Sequence, residues 1–379
     1  MGNKRKKQLD EAQLKAIIKR QEAEAERDSL LWDRDPQKQY IRRYGWLEVI
    51  QDYIKQRYQA GVKKPIKYLT LPGPNASDIG LLWKAGILAT SDEGTIPVAI
   101  CDRKYAALVV TRLNKVGRLL AVGSRYLRQE LADGGELRDN FPFDVINLDL
   151  CNPFILETKK DDFSTLNWVF RLQRGQSFLL LLTTKPESNP PPKLVTLLQH
   201  NISEVPEFQQ AYMERFGSDE LPLCLADSTF FAQLAFPKAI ARLARFFGYG
   251  VTEHFAANYL RRSNHESYEM ISHSFELVPL GRNDDCVAPP WGTLKYEPYF
   301  SRVPRDAAEE KLFNLRSPQH EQLANEAYRR FITTLLKRSS RNVTTILDEN
   351  SQLKNELQNE ADSLIQWWQK DSSNPPDSK

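Results

Sequence analysis

The sequence has few cysteines and no long apolar run, and these absences exclude several classes of protein. It contains four cysteines in 379 residues, and none forms a Cys-x-x-Cys pair. A disulfide framework or a zinc ribbon is therefore not expected, and the pattern favours a reducing cytoplasm. The most apolar run, Phe178 to Leu182, has only the length of a strand. Since a membrane helix needs ~18 to 20 apolar residues, we expect no membrane span.

The motifs of several enzyme classes are also missing. The sequence contains neither Gly-x-Ser-x-Gly nor a phosphate-binding P-loop, and its five histidines show no metal-ligand spacing. The net charge of +3 is too small to indicate nucleic-acid binding by itself. Hydrophobic residues make up 41% of the chain, which is enough to build a substantial core.

Basic residues are concentrated at the N-terminus, where no apolar segment follows that would make a secretory signal. Such a basic segment can contact nucleic-acid phosphates, and the solvated start of a helix explains it equally well. The candidate phosphate contacts are Lys4, Arg5, Lys6 and Lys7.

Helices are predicted at both ends of the chain. Residues 8–31 and 37–59 show helical spacing of apolar residues, and we assign residues 1–62 to a helical extension. At the other end, residues 282–379 comprise an irregular linker, a helical pair and a disordered tail. The last helix carries a short leucine seam of coiled-coil type. This seam is consistent with a helix pair within the chain and with association with a protein partner or a second copy.

Between these extensions, strands and helices alternate five times. This alternation is typical of right-handed βαβ units and of a parallel sheet that is covered on both faces. A long helix and an antiparallel hairpin follow. The predicted strands are 68–71, 97–101, 118–122, 143–150, 177–183, 251–260 and 268–278.

This order of elements resembles the class I S-adenosylmethionine-dependent methyltransferases. The resemblance implies an α/β fold with a doubly wound, mostly parallel seven-stranded sheet in the order 3-2-1-4-5-7-6, whose last hairpin is antiparallel. It places the Rossmann-like domain at residues 63–281, with an insertion at about 185–225. It also implies S-adenosylmethionine as the cofactor.

Ligands of open α/β sheets bind beyond the carboxyl ends of the strands, near the switch in strand order. The turn after the first strand is the first candidate site, although it has one glycine and two prolines where the methyltransferases usually have an acid and several glycines. Asn75 or Ser77 could cap the following helix. The candidate cofactor contacts at this turn are Thr70, Gly73, Asn75, Ala76 and Asp78.

The second candidate site lies after the second and third strands. Asp102 directly follows an apolar strand, and the resemblance gives it the role of accepting hydrogen bonds from the ribose hydroxyls. An aspartate at this position also caps helices, and that interpretation stays open. After the third strand the resemblance suggests an acid that contacts the adenine, but the sequence has Ser124, so any contact there must be made differently.

The third candidate site follows the fourth strand. Methyltransferases that act on amino groups carry a short (Asp/Asn/Ser)-Pro-Pro-(Tyr/Phe) element there, and Asn152-Pro153-Phe154 resembles part of it. The resemblance implies that Asp149 or Asn152 accepts from the target amine and that Phe154 stacks on a base.

Two functions follow from these observations. The first is an S-adenosylmethionine-dependent methyltransferase, with a nucleic-acid amino group as the candidate substrate. The second is a catalytically silent scaffold of the same fold that binds protein or nucleic acid. Arg261 and Arg262, on the predicted hairpin, are further candidate phosphate contacts.

Overall fold

A computed structural model describes most of the chain. The described residues are 11–61, 65–114, 116–132, 134–153, 161–173, 175–186, 206–216, 228–262, 267–280, 318–337 and 341–370. The basic segment Lys4 to Lys7, Phe154, most of the insertion, the linker before residue 318 and the tail lie outside these ranges.

An eight-stranded sheet organises the molecule, in the order β3-β2-β1-β4-β5-β7-β6-β8. The strands are β1 Tyr68–Thr70, β2 Thr95–Cys101, β3 Arg118–Gly123, β4 Val145–Pro153, β5 Phe178–Lys185, β6 Tyr249–Arg262, β7 Ser267–Pro279 and β8 Arg341–Asn342.

The first five strands pair in parallel, and β7 pairs antiparallel with both β5 and β6. The predicted order of the first seven strands is therefore confirmed. The count of seven is wrong, because β8 adds a parallel edge beside β6 through Ala257↔Arg341 and Asn258↔Asn342. Two polar residues have no apolar alternation, so the sequence pattern gives no sign of this strand.

The helices lie on both faces of the sheet. They are α1 Glu11–Trp32, α2 Pro36–Tyr40, α3 Glu48–Gln59, α4 Ser77–Lys84, α5 Ala106–Leu113, α6 Leu127–Leu131, α7 Asp161–Leu172, α8 Pro206–Phe216, α9 Ser228–Phe247, α10 Pro318–Lys337, α11 Val343–Glu349 and α12 Ser351–Lys370. A π-helical segment, Ile41–Leu47, joins α2 to α3, and a short 3-10 helix spans Arg138–Asn140.

Two apolar cores result, one on each face of the sheet. The first packs β4 and β5 against α6, α7, α9 and α10. The second packs β1 and β2 against α2, α3, α4, α5, α11 and α12. Strand β5 serves both cores, and its side chains from Phe178 to Thr184 are buried. At about 1.5–3 kcal/mol for each large apolar side chain, this strand is a main source of stability.

The C-terminal leucine seam packs within the chain. Leu357 and Leu364 of α12 are buried in the second core, together with Val343 and Leu347 of α11. Helices α11 and α12 are separated by Asn350, whose side chain accepts a hydrogen bond from the N–H of Leu353 at 3.0 Å. An asparagine side chain that caps the second helix explains why the first one ends there.

The π-helical segment changes which face of the second predicted helix is buried. The apolar spacing predicts a stripe that includes Tyr44 and Leu47, but both are only partly buried. Ile41 and Trp46 are buried instead, at 0% and 2% exposure. A π-helix has a wider turn than an α-helix and therefore rotates the face that meets the sheet. Gly45 lies in this segment, and its carbonyl accepts from Ser274 Oγ at 2.6 Å.

Candidate functional site at the carboxyl edge of the sheet

The turn after β1 begins the candidate site. Gly73 and Ala76 both adopt left-handed backbone conformations, with φ of 63° and 45°. For alanine this conformation costs about 1–2 kcal/mol, and strain of this kind is often stored at functional sites. Nothing lies within 4 Å of the position that a Cβ of Gly73 would occupy, so the backbone of the turn is open on that side.

Asp33, in the connection between α1 and α2, holds this turn. Its buried carboxylate accepts hydrogen bonds from Arg42 Nη2 at 2.7 Å, from Ser77 Oγ at 2.9 Å and from Asn75 Nδ2. The prediction that Asn75 or Ser77 caps α4 is therefore wrong, because both side chains point to Asp33, and Ala76 at the N-cap makes no side-chain bond.

Asp78 lies beside the end of β1 in a buried polar cluster. Its Oδ2 accepts from Tyr68 Oη at 2.7 Å, from Thr70 Oγ1 at 2.5 Å and from Asn147 Nδ2 at 3.5 Å. Burial raises the pKa of Asp78, although these hydrogen bonds oppose the effect. Asp78 Oδ1 and Asn147 Oδ1 are buried and have no hydrogen-bond partner.

Arg42 approaches the same cluster from the π-helical segment. Burial alone would lower the pKa of its guanidinium, but the carboxylates of Asp33, Asp149 and Asp78 reverse this and raise it. Only Nη2 is bonded to Asp33, and Nε and Nη1 are buried without a partner. Unpaired N–H groups on a buried cation are costly, so they mark a place where an acceptor is missing.

Lys38, from α2, contacts β4 just beyond the last pair of β4 with β1, Thr70↔Asn147. Its Nζ donates to Asp149 Oδ1 at 2.6 Å and lies 4.7 Å from the ring centre of Trp46 and 6.0 Å from that of Tyr259. Burial lowers the pKa of Lys38, and the attraction of Asp149 opposes this. With Arg42, the site thus holds two basic side chains against three carboxyl groups, and burial disfavours the charged forms of both Lys38 and Asp78.

Asp102, directly after β2, closes the turn that leads into α5. Its Oδ1 accepts from the N–H groups of Lys104 at 2.7 Å and Tyr105 at 2.6 Å, whereas the N-cap of α5 is Tyr105, which makes no side-chain cap bond. Burial raises the pKa of Asp102, although these two hydrogen bonds act in the opposite direction. Helix α1 docks beside it, since Gln21 Oε1 accepts from the N–H of Leu108 at 3.1 Å.

The loop after β3 is organised by Glu130 rather than by Ser124. The fully buried Glu130 accepts from the N–H groups of Ser124, Arg125 and Glu136 and forms two bonds to the Arg125 guanidinium. Although burial opposes ionisation, these bonds lower the pKa of Glu130. The exposed Ser124 thus contributes its backbone N–H to the loop.

The structure brings some predicted site residues together and places others apart. Thr70, Asn75, Asp78 and Asp149 surround the side chains of Asp33, Lys38 and Arg42, which the sequence analysis did not select. Pro153 pairs with Lys185 at the end of β4, beside Asn152. On the hairpin, the buried Arg261 lies over the ring of Tyr268 at 5.5 Å, and Arg262 pairs with Ser267.

Two kinds of feature are absent from the described residues. Among them, no group of three or more His, Cys, Asp or Glu side chains is arranged to hold a metal ion. None of the described helices combines the length and the apolar character that crossing a bilayer requires.

Fold and site together define an α/β protein with a buried, charged cluster at the switch in strand order. The sequence model of the PP_RS20740-like family matches residues 31–89 and 129–277, just over half of the chain. The chain therefore belongs to the PP_RS20740-like family. No curated protein matches it. The matched segments contain the cluster around Asp33, Arg42 and Asp78, and they leave out Asp102.

Proposed function

We propose that the chain binds S-adenosylmethionine at the carboxyl edge of β1, β2 and β4 and transfers its methyl group to an amine. One observation carries the proposal. Buried polar atoms without partners, namely Nε and Nη1 of Arg42 and Oδ1 of Asp78 and Asn147, gather where an open α/β sheet binds its ligands. The resemblance in strand order supports the choice of ligand.

The unpaired atoms fit the amino-acid end of this cofactor. Arg42 offers two N–H groups, which suit a carboxylate. Asp78 and Asn147 offer two oxygen acceptors, which suit an ammonium group. An ammonium group beside Asp78 would favour its ionised form and so counter the effect of burial on its pKa.

Asp102 fits the ribose end. Both of its hydrogen bonds within the protein use Oδ1, so Oδ2 can accept from a ribose hydroxyl. The open backbone at Gly73 leaves room for a ligand to approach the turn between these two ends.

When bound, S-adenosylmethionine supplies a methyl group that is activated by its sulfonium. The chain's own residues orient the reactants and handle the proton. On β4, beyond the last pair of that strand with β1, Asp149 accepts a hydrogen bond from an amine, as its bond from Lys38 illustrates. The buried surroundings exclude water from the reactants. Because methyl transfer is a direct displacement, positioning of the reactants provides most of the catalysis.

Calorimetric titration of the full chain with S-adenosylmethionine tests the proposal. We expect saturable binding, and Asp102→Ala should weaken it by about 1–3 kcal/mol, or about 5- to 150-fold. The same change should cost about 1 kcal/mol of stability, because two hydrogen bonds of the turn before α5 are lost. Asp92→Ala, in an exposed loop, is the matched control and should change neither quantity. Absence of heat at millimolar cofactor would reject the proposal.

The acceptor is tested separately. A tritium-transfer assay measures how much labelled methyl group is transferred to pools of DNA, RNA and protein. It compares the candidate substrate, a nucleic-acid amino group, with the amines of proteins. Label in the nucleic acid would support Asn152-Pro153-Phe154 as the acceptor element.

A second function is favoured by a different observation. Asp33 and Lys38, from the connection before α2 and from α2 itself, already satisfy the polar groups of the β1 turn and of Asp149. A sheet edge closed in this way suits a catalytically silent scaffold that binds protein or nucleic acid. The same titration separates the two functions, because the scaffold needs no cofactor.

A further inference from the structure

The ammonium group of Lys38 lies where a methyl acceptor is expected. Its Nζ is 2.6 Å from Asp149 Oδ1, which lies on β4 two residues beyond the last pair of that strand with β1. The resemblance described above assigns this position to the group that receives the methyl. Lys38 is only 9% exposed, so its amine is held in the site rather than in solvent.

Aromatic rings complete the surroundings of this amine. Trp46 and Tyr259 present their faces to Nζ at 4.7 Å and 6.0 Å. Aromatic faces attract an ammonium group whether it carries hydrogens or methyl groups, so they hold the resting ammonium in place and stabilise the methylated product. A nucleobase amine has no such charge and would gain less from these rings.

The position of Lys38 along the helix also suits the proposed cofactor site. Lys38 and Arg42 are four residues apart in a continuous helical segment, so their side chains emerge on neighbouring positions. Arg42 carries the unpaired N–H groups assigned to the cofactor's carboxylate. The amine and the amino-acid end of the cofactor would thus be held by adjacent turns of the same segment.

We propose that Lys38 is a self-methylation site, at which the chain methylates its own Nζ. This inference rests on the proposed function. In the transfer, the Nζ lone pair forms a bond to the methyl carbon and the carbon–sulfur bond of the sulfonium breaks. S-adenosylhomocysteine leaves, and the proton lost from Nζ passes to Asp149 and then to water.

The protonation of Lys38 is consistent with this chemistry. Only the neutral amine has a lone pair to donate, and burial lowers the pKa of Lys38 from its ordinary value of 10.5. The exposed Lys354, which pairs with Asp348 at 3.6 Å, has neither the burial nor the aromatic rings and is an internal control.

Peptide mapping by mass spectrometry tests the proposal on the full chain. The protein is incubated with S-adenosylmethionine that carries a deuterated methyl group, and it is also analysed as purified. We expect one or more methyl groups on the peptide with Lys38, none on that with Lys354, and none at position 38 in Lys38→Arg. Equal labelling of both lysines would overturn the proposal, because it would indicate non-specific chemistry.

A second measurement does not depend on turnover. Lys38 and Lys354 are labelled with trace amounts of an amine-reactive reagent, with and without S-adenosylhomocysteine. Bound ligand should protect Lys38 several-fold and leave Lys354 unchanged. If the cofactor binds in the calorimeter but Lys38 is neither methylated nor protected, this inference is wrong and the proposed function stands. If nothing binds, the proposed function itself fails.

Discussion

Asp33→Ala provides a sharp test of the buried ionic cluster. Asp33 is 6% exposed. Arg42, whose guanidinium donates to the Asp33 carboxylate, is 5% exposed. Removing the carboxylate leaves a buried cation without its partner and two further donors, on Asn75 and Ser77, without an acceptor. Breaking a buried pair in this way costs about 3–5 kcal/mol.

The matched control is Arg34→Ala, one residue along the chain. Arg34 pairs with Asp362 at 3.1 Å, but their side chains are 45% and 40% exposed. Exposed pairs contribute about 0–1 kcal/mol, since water screens them and the side chains lose freedom. The two variants therefore differ by burial rather than by the type of interaction.

Urea unfolding followed by tryptophan fluorescence measures both variants. We expect the midpoint for Asp33→Ala to fall far below that for Arg34→Ala. The double variant Asp33→Ala/Arg42→Met should recover part of the loss, because it removes the unpaired charge. If the two single variants unfold within about 1 kcal/mol of each other, the assignment of Asp33 as the support of the β1 turn is refuted.

Two further predictions concern Asp78 and Gly45. Because the folded pKa of Asp78 lies above its ordinary value of 3.8, protonated Asp78 stabilises the fold below that pH, and this contribution is lost as pH rises through the folded pKa. Asp78→Asn keeps an acceptor for Tyr68 and Thr70 but cannot ionise. The free energy of unfolding of this variant should therefore fall less between about pH 4 and pH 7 than that of the unsubstituted protein. Parallel pH profiles for the two proteins would contradict this. In Gly45→Ala the new Cβ would lie 2.8 Å from Phe255 Cε1, and urea unfolding should show a loss of about 1–3 kcal/mol. An unchanged midpoint for Gly45→Ala would show that the π-helical segment can shift away from the sheet.

Much of the fold could be predicted from the sequence, because strand-length apolar runs and helical spacing alternate regularly along the chain. The order of seven strands was implied by the resemblance to the methyltransferases, which rests on that alternation and on the final hairpin. The π-helical segment could not be predicted, since the spacing of apolar residues does not separate π from α geometry. Strand β8 was missed because Arg341 and Asn342 make a strand only by pairing with β6.

The candidate site was predicted in part. Asp78, after the first strand, and Asp149, near the end of the predicted fourth strand, were selected for those positions. Their partners Lys38 and Arg42 come from the N-terminal helical extension. A signal for them was present: Lys38, Arg42 and Trp46 recur every four residues, so two cations share a helix face with a large aromatic residue. That face is buried, and a buried cation requires a carboxylate such as Asp33.

The most direct test of the central claim is a crystal structure of the full chain with S-adenosylhomocysteine. The account predicts that the ligand's carboxylate lies on Nε and Nη1 of Arg42, its ammonium on Asp78 and Asn147, and its ribose on Asp102. Density for the ligand at another edge of the sheet, or an unchanged cluster without ligand at saturating concentration, would contradict it.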